Sequence, residues 1–517
     1  MHSLNRRAFL GTTAGLSAAL LAGCGAGPAT GTATGTAATG RPRRGGRLRV
    51  AFAGGGAQET LDPHLSNLFV EASRSKALFD KLADYGPDLS VQPRLAERWE
   101  SDAALTTWRV TLRQAAFHDG RPVRAADVLY SYARIGDPAR AFRARTTLAV
   151  IDLARSRAVD DRTVEFALRQ PFAEFPNVLA AFGVFIVPEG AEDFTRPVGS
   201  GPFVFGSFEP GRSLLLRRNA DYWEGAPHVD ELQYLIANEE PARVNALLGG
   251  QVDYAHDITA TTARTYRGND RLAVTRLTNS GMQAFAMKLD RPPFDDRDLR
   301  EAMFLLADRE QLVDTVLGGA GQTGNDLFGK GYQYYAEEIP QRARDLDRAE
   351  WLVRKAGAKG LRIRLDTSAA AGGFVESASV FADQMRQAGL DVRVAVGDKD
   401  TYWKDVLDRG SLCCFRSGAM PIESHFSQRL LSTSTTNITK WKRPEFDALY
   451  TRAVSLADEK ARREVYAEMQ SMQHAEGGYL VWGFADWLVA TAPGVGGVVD
   501  APANTLDWAR FDKVWLA

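Results

Sequence analysis

Along this chain, runs in which apolar and polar residues alternate are interleaved with segments whose apolar residues recur every three or four positions. Gly46 to Phe52 alternates and predicts a strand that the glycines at 54 to 56 end. Phe69 to Asp84, after the turn Leu61-Asp62-Pro63-His64, has helical spacing. A strand pair is predicted around Thr107 to Leu112, and the tight turn Phe117 to Val123 leads into a helix, Ala125 to Ile135, with Asp127 at its start. Leu299, Met303, Leu306, Leu312, Val313 and Val316 form one helical face behind Asp295 and Asp296, which cap it and favour its dipole. Leu361 to Leu365 alternates, Phe374 to Ala388 is amphipathic, and Leu390 to Val396 alternates again, a strand-helix-strand unit that predicts a parallel sheet. Leu412 to Phe426 begins as an apolar run that reads as a buried strand. Ser417, Gly418, Met420 and Pro421 then force a loop carrying Arg416, Glu423 and His425. A strand that ends in a polar loop is where small ligands are usually met.

Composition bounds the class. A chain of 517 residues exceeds a single core, which stops growing at about 250 to 300 residues, so two or three domains are expected. Lys and Arg number 63 against 64 Asp and Glu, which leaves no electrostatic footprint for nucleic acid. The start of the chain departs from this balance. Asn5-Arg6-Arg7-Ala8-Phe9-Leu10 precedes an uncharged apolar segment, Gly11 to Ala22, so residues 1–23 read as a signal peptide of twin-arginine type. Leu20-Leu21-Ala22-Gly23-Cys24 resembles a bacterial lipobox, which would make Cys24 the acylated first residue of an exported, membrane-tethered protein. The apolar stretch is shorter than the roughly 20 residues that a span needs. Residues 24–45, rich in Gly, Ala and Thr, cannot bury enough surface to fold and predict a disordered linker. With Cys24 assigned to lipidation, only Cys413 and Cys414 remain, neighbours that point to opposite faces of a strand and make neither a disulfide framework nor a zinc site.

Several motifs recur in a fixed order. Leu95-Ala96-Glu97-Arg98-Trp99-Glu100 precedes Trp108 to Ile135, which contains Phe117-His118-Asp119-Gly120-Arg121-Pro122. Pro197 to Phe205, Asn219 to Leu232, Arg243 to Ala255, Arg291 to Gly319, Trp441 to Ala453 and Arg462 to Gln470 follow. In order and spacing the set resembles family 5 extracellular solute-binding proteins, the oligopeptide, dipeptide and nickel binders of ABC importers. The resemblance covers about residues 46–517. It implies an α/β protein of the two-lobed periplasmic-binding type II, with three domains and a hinge between lobes. Residues 46–65, 193–290 and 476–517 would form domain I, residues 66–192 domain II, and residues 291–475 domain III, the opposite lobe. It also implies a monomer that hands a small solute, peptide or peptide-like, to an ABC permease. A sugar, opine or metal chelate is the alternative cargo.

The residues themselves exclude most catalysis and leave a secreted hydrolase as the lesser alternative to a binding role. No Gly-x-Ser-x-Gly elbow, phosphate-cradling Gly-x-x-x-x-Gly-Lys or His-Glu-x-x-His occurs, and the histidines are dispersed. No cofactor and no metal ligand set is expected. By resemblance, the loop matching Phe415 to Phe426 usually reads Trp-x-x-Asp-Tyr-x-Asp-Pro-x-x-Phe, and in peptide binders its first Asp holds the ligand's ammonium group. Here Phe415 takes the Trp position, and Gly418 and Ala419 fall where that Asp belongs. An ammonium buried without a carboxylate is costly, which leaves Arg416 and a shifted Glu423 as the charges of this stretch. Matching positions add Tyr402 and Trp403 before the loop, Asn437 and Trp441 after it, and Trp482 and Phe484 near the return to the first lobe. Met282 and Phe285 at the crossing into the third domain, and Asn67 after the first strand, complete the expected cleft. Its many rings and few charges suit an apolar or amide-rich solute.

Overall fold

A computed structural model describes residues 41–517 apart from 55, 57, 58, 67, 141 and 400. Its spine is a mixed sheet. The strands are β1 (Arg47–Phe52), β2 (Phe203–Glu209), β3 (Ser213–Arg218), β4 (Glu231–Ile236), β5 (Tyr254–Ile258), β6 (Ala273–Met287), β7 (Arg362–Ser368), β8 (Asp391–Gly397), β9 (Leu412–Gly418) and β10 (Tyr479–Thr491). They lie in the order β8-β7-β9-β6-β10-β5-β1-β4-β3-β2, and an eleventh short strand, Gly321–Thr323, pairs with β10 off this path. Two parallel sets are embedded in it. β1 runs parallel to β4 and β5 at one end, and β7 runs parallel to β8 and β9 at the other.

β6 and β10 tie the two ends together. The Gly281–Met287 half of β6 pairs with β9, while Leu488 to Thr491 of β10 pair with β5. Both strands therefore cross from one lobe to the other. Their ladder shifts register between Leu277 and Gly281, where Asn279 takes a left-handed backbone (φ 57°). Such irregularities bend a sheet locally, so the connection between lobes is two strands with a built-in bend. Because β9 is antiparallel to β6 and β5 antiparallel to β10, the carboxyl ends of both parallel sets point toward this crossing.

Hydrophobic burial follows the same division. One cluster joins β6, β9 and β10 to the helices around Met303, Leu352 and Phe381, and a second packs β1, β4 and the Phe69–Leu78 helix against Trp508 and Phe511. A third, from Leu82 to Ile186, surrounds an antiparallel sheet of Ala96–Ser101, Thr107–Leu112, Thr163–Leu168 and Ile151–Asp160. Tyr332 and Val454 of the second lobe are built into that third cluster. Ala173 N donates to Val454 O (2.6 Å) and Gln333 N to Asp88 O (2.7 Å), so the lobes are in direct contact.

Two of the ordered motifs meet in space. His118 Nδ1 accepts from Gly199 N (3.2 Å) and its Nε2 lies 3.0 Å from Gly201 O, which staples the Phe-His-Asp-Gly turn to the Gly-Ser-Gly turn. A Cβ at Gly199 or Gly201 would run into the Leu78 backbone, the physical demand for glycine there. Asp296 caps the Arg297–Leu306 helix by accepting from Leu299 N (2.9 Å), as its position predicts. Three expectations need correction. The one helix predicted to carry Leu299 to Val316 breaks at Ala307 into Arg297–Leu306 and Arg309–Val316, because Asp308 caps a new start by accepting from Gln311 N. The helix predicted over Phe69 to Asp84 stops at Leu78, after which Phe79 is extended and Ala83–Tyr85 pairs as a short strand. The predicted loop after Gly418 instead winds into a helix at Ile422–Arg429, with Pro421 as its N-cap and Glu423 in its first turn. Glu423 and His425 therefore lie on a helix rather than on a loop.

Candidate ligand-binding site

Carboxyl ends of parallel strands facing a crossing are where open α/β folds take ligands. In the second lobe this point is the end of β9. Alternation along the strand sends Phe415 and Ser417 to one face and Cys414 and Arg416 to the other. Cys413 and Cys414 are free and buried, and burial pushes the Cys414 thiol up to about 12. They are inert fillers.

The Phe415 face is a connected polar and aromatic group. Phe415 packs on Tyr479 (centroids 5.2 Å) and edge-on to Trp403 (6.2 Å), and Tyr479 packs edge-on to Phe328 (5.3 Å). Phe328 in turn stacks on His425 (4.8 Å). Arg429, one helical turn beyond His425, lays its guanidinium over the Phe415 ring at 4.9 Å and donates to Ser417 Oγ (2.9 Å). Trp403 is 41% exposed, one of the few large apolar side chains in the molecule left so open. Tyr402, by contrast, is buried, and its hydroxyl donates to Cys414 O (2.7 Å), fixing the strand that carries Phe415.

On the other face, Arg416 is exposed, with no ion-pair partner among the described residues. Although its surface is open, the protein crowded around its guanidinium disfavours the charge, and the carboxylate of Asp257 acts against that effect. Asp257 stands at the carboxyl end of β5 in the first lobe, in a left-handed conformation (φ 55°) that is unusual for a residue other than glycine. The neighbouring His256 is held neutral by burial, which pushes it down to about 3, between the rings of Phe52 and Trp487.

The remaining expected residues divide by depth. Phe285 stacks on Phe381 (4.1 Å) and Trp482, and both Phe285 and Trp482 are wholly inside the core. Met282, Trp441 and Phe484 are buried as well. Asn437 spends its amide on the carbonyl of Trp441 (2.8 Å). In this conformation these six shape the cleft from behind and leave a solute almost no surface. Gly418 is exposed, with nothing near the position a Cβ would take. Asn67 and Cys24 lie outside the described residues.

Glu423 is drawn away from any ligand. Its carboxylate accepts from Tyr450 (2.6 Å) and Ser424 (3.0 Å), and it is buried where the lobes meet. Glu174 lies in the same junction from the other side, 2.6 Å from the Arg462 guanidinium. Burial, stronger than the pull of Arg462, pushes the Glu174 carboxyl up to about 7. Arg429 escaped prediction because a basic residue in the last turn of a helix looks like ordinary dipole compensation.

A concavity of about 740 Å³ lies elsewhere, lined by Gly46, Arg47, Arg217, Arg218, Asp230 and Glu231. It lies at the amino ends of β1 and β4, and its charges already pair as Arg47–Glu231 and Arg218–Asp230. No group of three or more metal-ligating side chains occurs among the described residues. Nor is any described helix long and apolar enough to cross a membrane.

Two lobes, two crossing strands and converging strand ends define the class as a two-lobed periplasmic-binding-type protein. The sequence profile of bacterial extracellular solute-binding proteins, family 5 Middle, matches residues 90–436, and the chain belongs to that family. It is 25% identical over 456 residues to the peptide transport periplasmic protein SapA of Salmonella typhimurium, covering 80% of this chain and 82% of SapA. It is 23% identical to the glutathione-binding protein GsiB of Pectobacterium atrosepticum, over 85% of this chain and 87% of GsiB. The ABC transporter substrate binding protein CtaP of Listeria monocytogenes shares the fold with a TM-score of 0.81, at 21% identity, over 92% of this chain and all of CtaP.

Proposed function

We infer that this protein is the solute-binding receptor of an ABC importer, which takes a small peptide or peptide-like solute between its lobes and passes it to a membrane permease. The observation that carries the reading is the pair of crossing strands that bring the carboxyl ends of both parallel sets to one cleft. The names of SapA and GsiB, a peptide transporter component and a glutathione binder, support the cargo class. Binding rather than catalysis is the event, and the closed form is selected because only it touches the ligand from both lobes. The three-domain division, a monomer, and attachment to the outer face of the cytoplasmic membrane through acylated Cys24 belong to the same proposal. Arg416, Trp403 and Phe415 are the proposed contacts. A non-peptide cargo is the second reading, favoured by Ser417, Gly418 and Ala419, none of which carries a charge for an ammonium group.

A thermal-shift screen with peptide, sugar and chelate pools tests this, because a ligand that binds only the native state raises its melting temperature. A shift with the peptide pool is expected. No shift with any pool rejects the receptor reading, and a shift with the sugar or chelate pool alone selects the second.

A further inference from the structure

Arg429 is anomalous for a largely buried arginine. Its polar neighbours among the described residues, the Ser417 hydroxyl to which it donates and the adjoining Tyr479 phenol, are both neutral, and its Nε is buried with no hydrogen-bond partner. Among the described residues it makes no ion pair, whereas the buried Arg74, Arg94, Arg134, Arg309, Arg462 and Arg510 each hold a carboxylate and the buried Arg243 and Arg300 spend their guanidinium groups on backbone carbonyls. The other charged group that acts on it is a second cation, Arg143, from the 82–186 part of the opposite lobe. Among the described residues Arg143 also makes no ion pair, and it rests beside the Phe182 ring at 6.0 Å. Two further buried polar atoms of the same cluster, Tyr479 Oη and His425 Nδ1, have no hydrogen-bond partner. Tyr479 adjoins the guanidinium, and His425 is one turn away on the same helix. The lobes meet beside them, since Ala419 packs against the core of the opposite lobe.

Two like charges brought together across an interface, one of them desolvated, oppose closure unless an anion lies between them. A guanidinium with a free edge and a neighbouring phenol is a donor set with the geometry of an oxyanion. We propose that Arg429 and Arg143 hold a carboxylate of the peptide-like ligand between the lobes, with Tyr479 as an additional donor and Phe415 as the platform. The ligand is then acidic, and its negative charge is what lets the two arginines close on each other. This rests on the receptor reading above and narrows it to the charge class of the cargo.

The test uses the mature full-length protein and two probe pools followed by calorimetry and thermal shift. One pool contains di- and tripeptides with Asp and Glu side chains; the other contains the same peptides with every carboxyl amidated. The acidic pool is expected to bind at least tenfold more tightly. Arg429→Gln should remove most of that difference, and Arg143→Gln, a surface change that leaves the fold intact, should remove at least threefold of it. Arg143→Glu should place an acid opposite Arg429, raise the melting temperature of the ligand-free protein and abolish the acidic-pool response. Equal binding of both pools, or unchanged acidic-pool affinity in folded Arg143→Gln, overturns the carboxylate site and leaves the receptor reading standing. Binding of neither pool overturns both.

Discussion

Two polar clusters lie between the same pair of lobes, and their charge balance is opposite. Around Glu174 and Glu423 the acids have partners: Arg462 and Asn177 on the first, Tyr450 and Ser424 on the second. Around Arg429 and Arg143, among the described residues, there is cation without an ion-paired acid. The first cluster is closed on itself and glues the lobes together; the second is incomplete without something negative. Buried charge that is satisfied marks structure, and buried charge that is not satisfied marks a place for a ligand.

This contrast is open to attack by mutation. The largest effect is expected from Glu174→Ala, which strands Arg462 in the junction and should lower unfolding stability in urea by about 3 kcal/mol. Arg429→Gln, by comparison, should leave the ligand-free protein as stable as before or slightly more so, because it removes a charge that has no counterion. A loss comparable to that of Glu174→Ala would erase the distinction between the clusters. The pH profile comes next. The Glu174 carboxyl ionises near 4.5 when unfolded and at about 7 when folded. The folded state thus binds more protons between these values, and stability falls as pH rises from about 4.5 to about 7. In Glu174→Gln that decline should flatten, read as melting temperature against pH. A smaller change is expected from Tyr402→Phe, which deletes the hydroxyl on Cys414 O and should cost about 1 kcal/mol. Trp403→Ala should be the mildest, within about 0.5 kcal/mol because the ring is largely open to solvent. It should nonetheless weaken peptide-pool binding, and a change in stability without a change in binding would remove Trp403 from the site.

Much of the scaffold was legible along the chain. β7, the Phe374–Arg386 helix and β8 fall where the alternation and the helical spacing put them, and Asp296 caps its helix. These signals are local, since a period of two or of 3.6 and a cap need only neighbours in sequence. The stretch from Leu412 begins as the strand its apolar run predicts, but the strand runs on through Arg416 to Gly418 and a helix follows at Ile422–Arg429, where the sequence predicts a loop from Arg416 onward. Pro421 was weighed as a breaker, although proline is also at home at a helix start. Phe285, Trp482 and Trp441 show the other limit: an aromatic residue in a matching position has the same letter whether it faces the solute or the core.

By itself the sequence determined the family, the parallel unit of the second lobe and the strand on which the cleft is built, because motif order and hydrophobic period are written along the chain. Only the tertiary structure decided that Glu423 turns into the lobe junction and that Arg429 lies over Phe415, where the charge of Arg143 acts on it from the other lobe. The reason is that burial and pairing of charge are properties of space. Whether an arginine has a carboxylate beside it depends on which distant segments the crossing strands bring together, and no spacing in the chain records that.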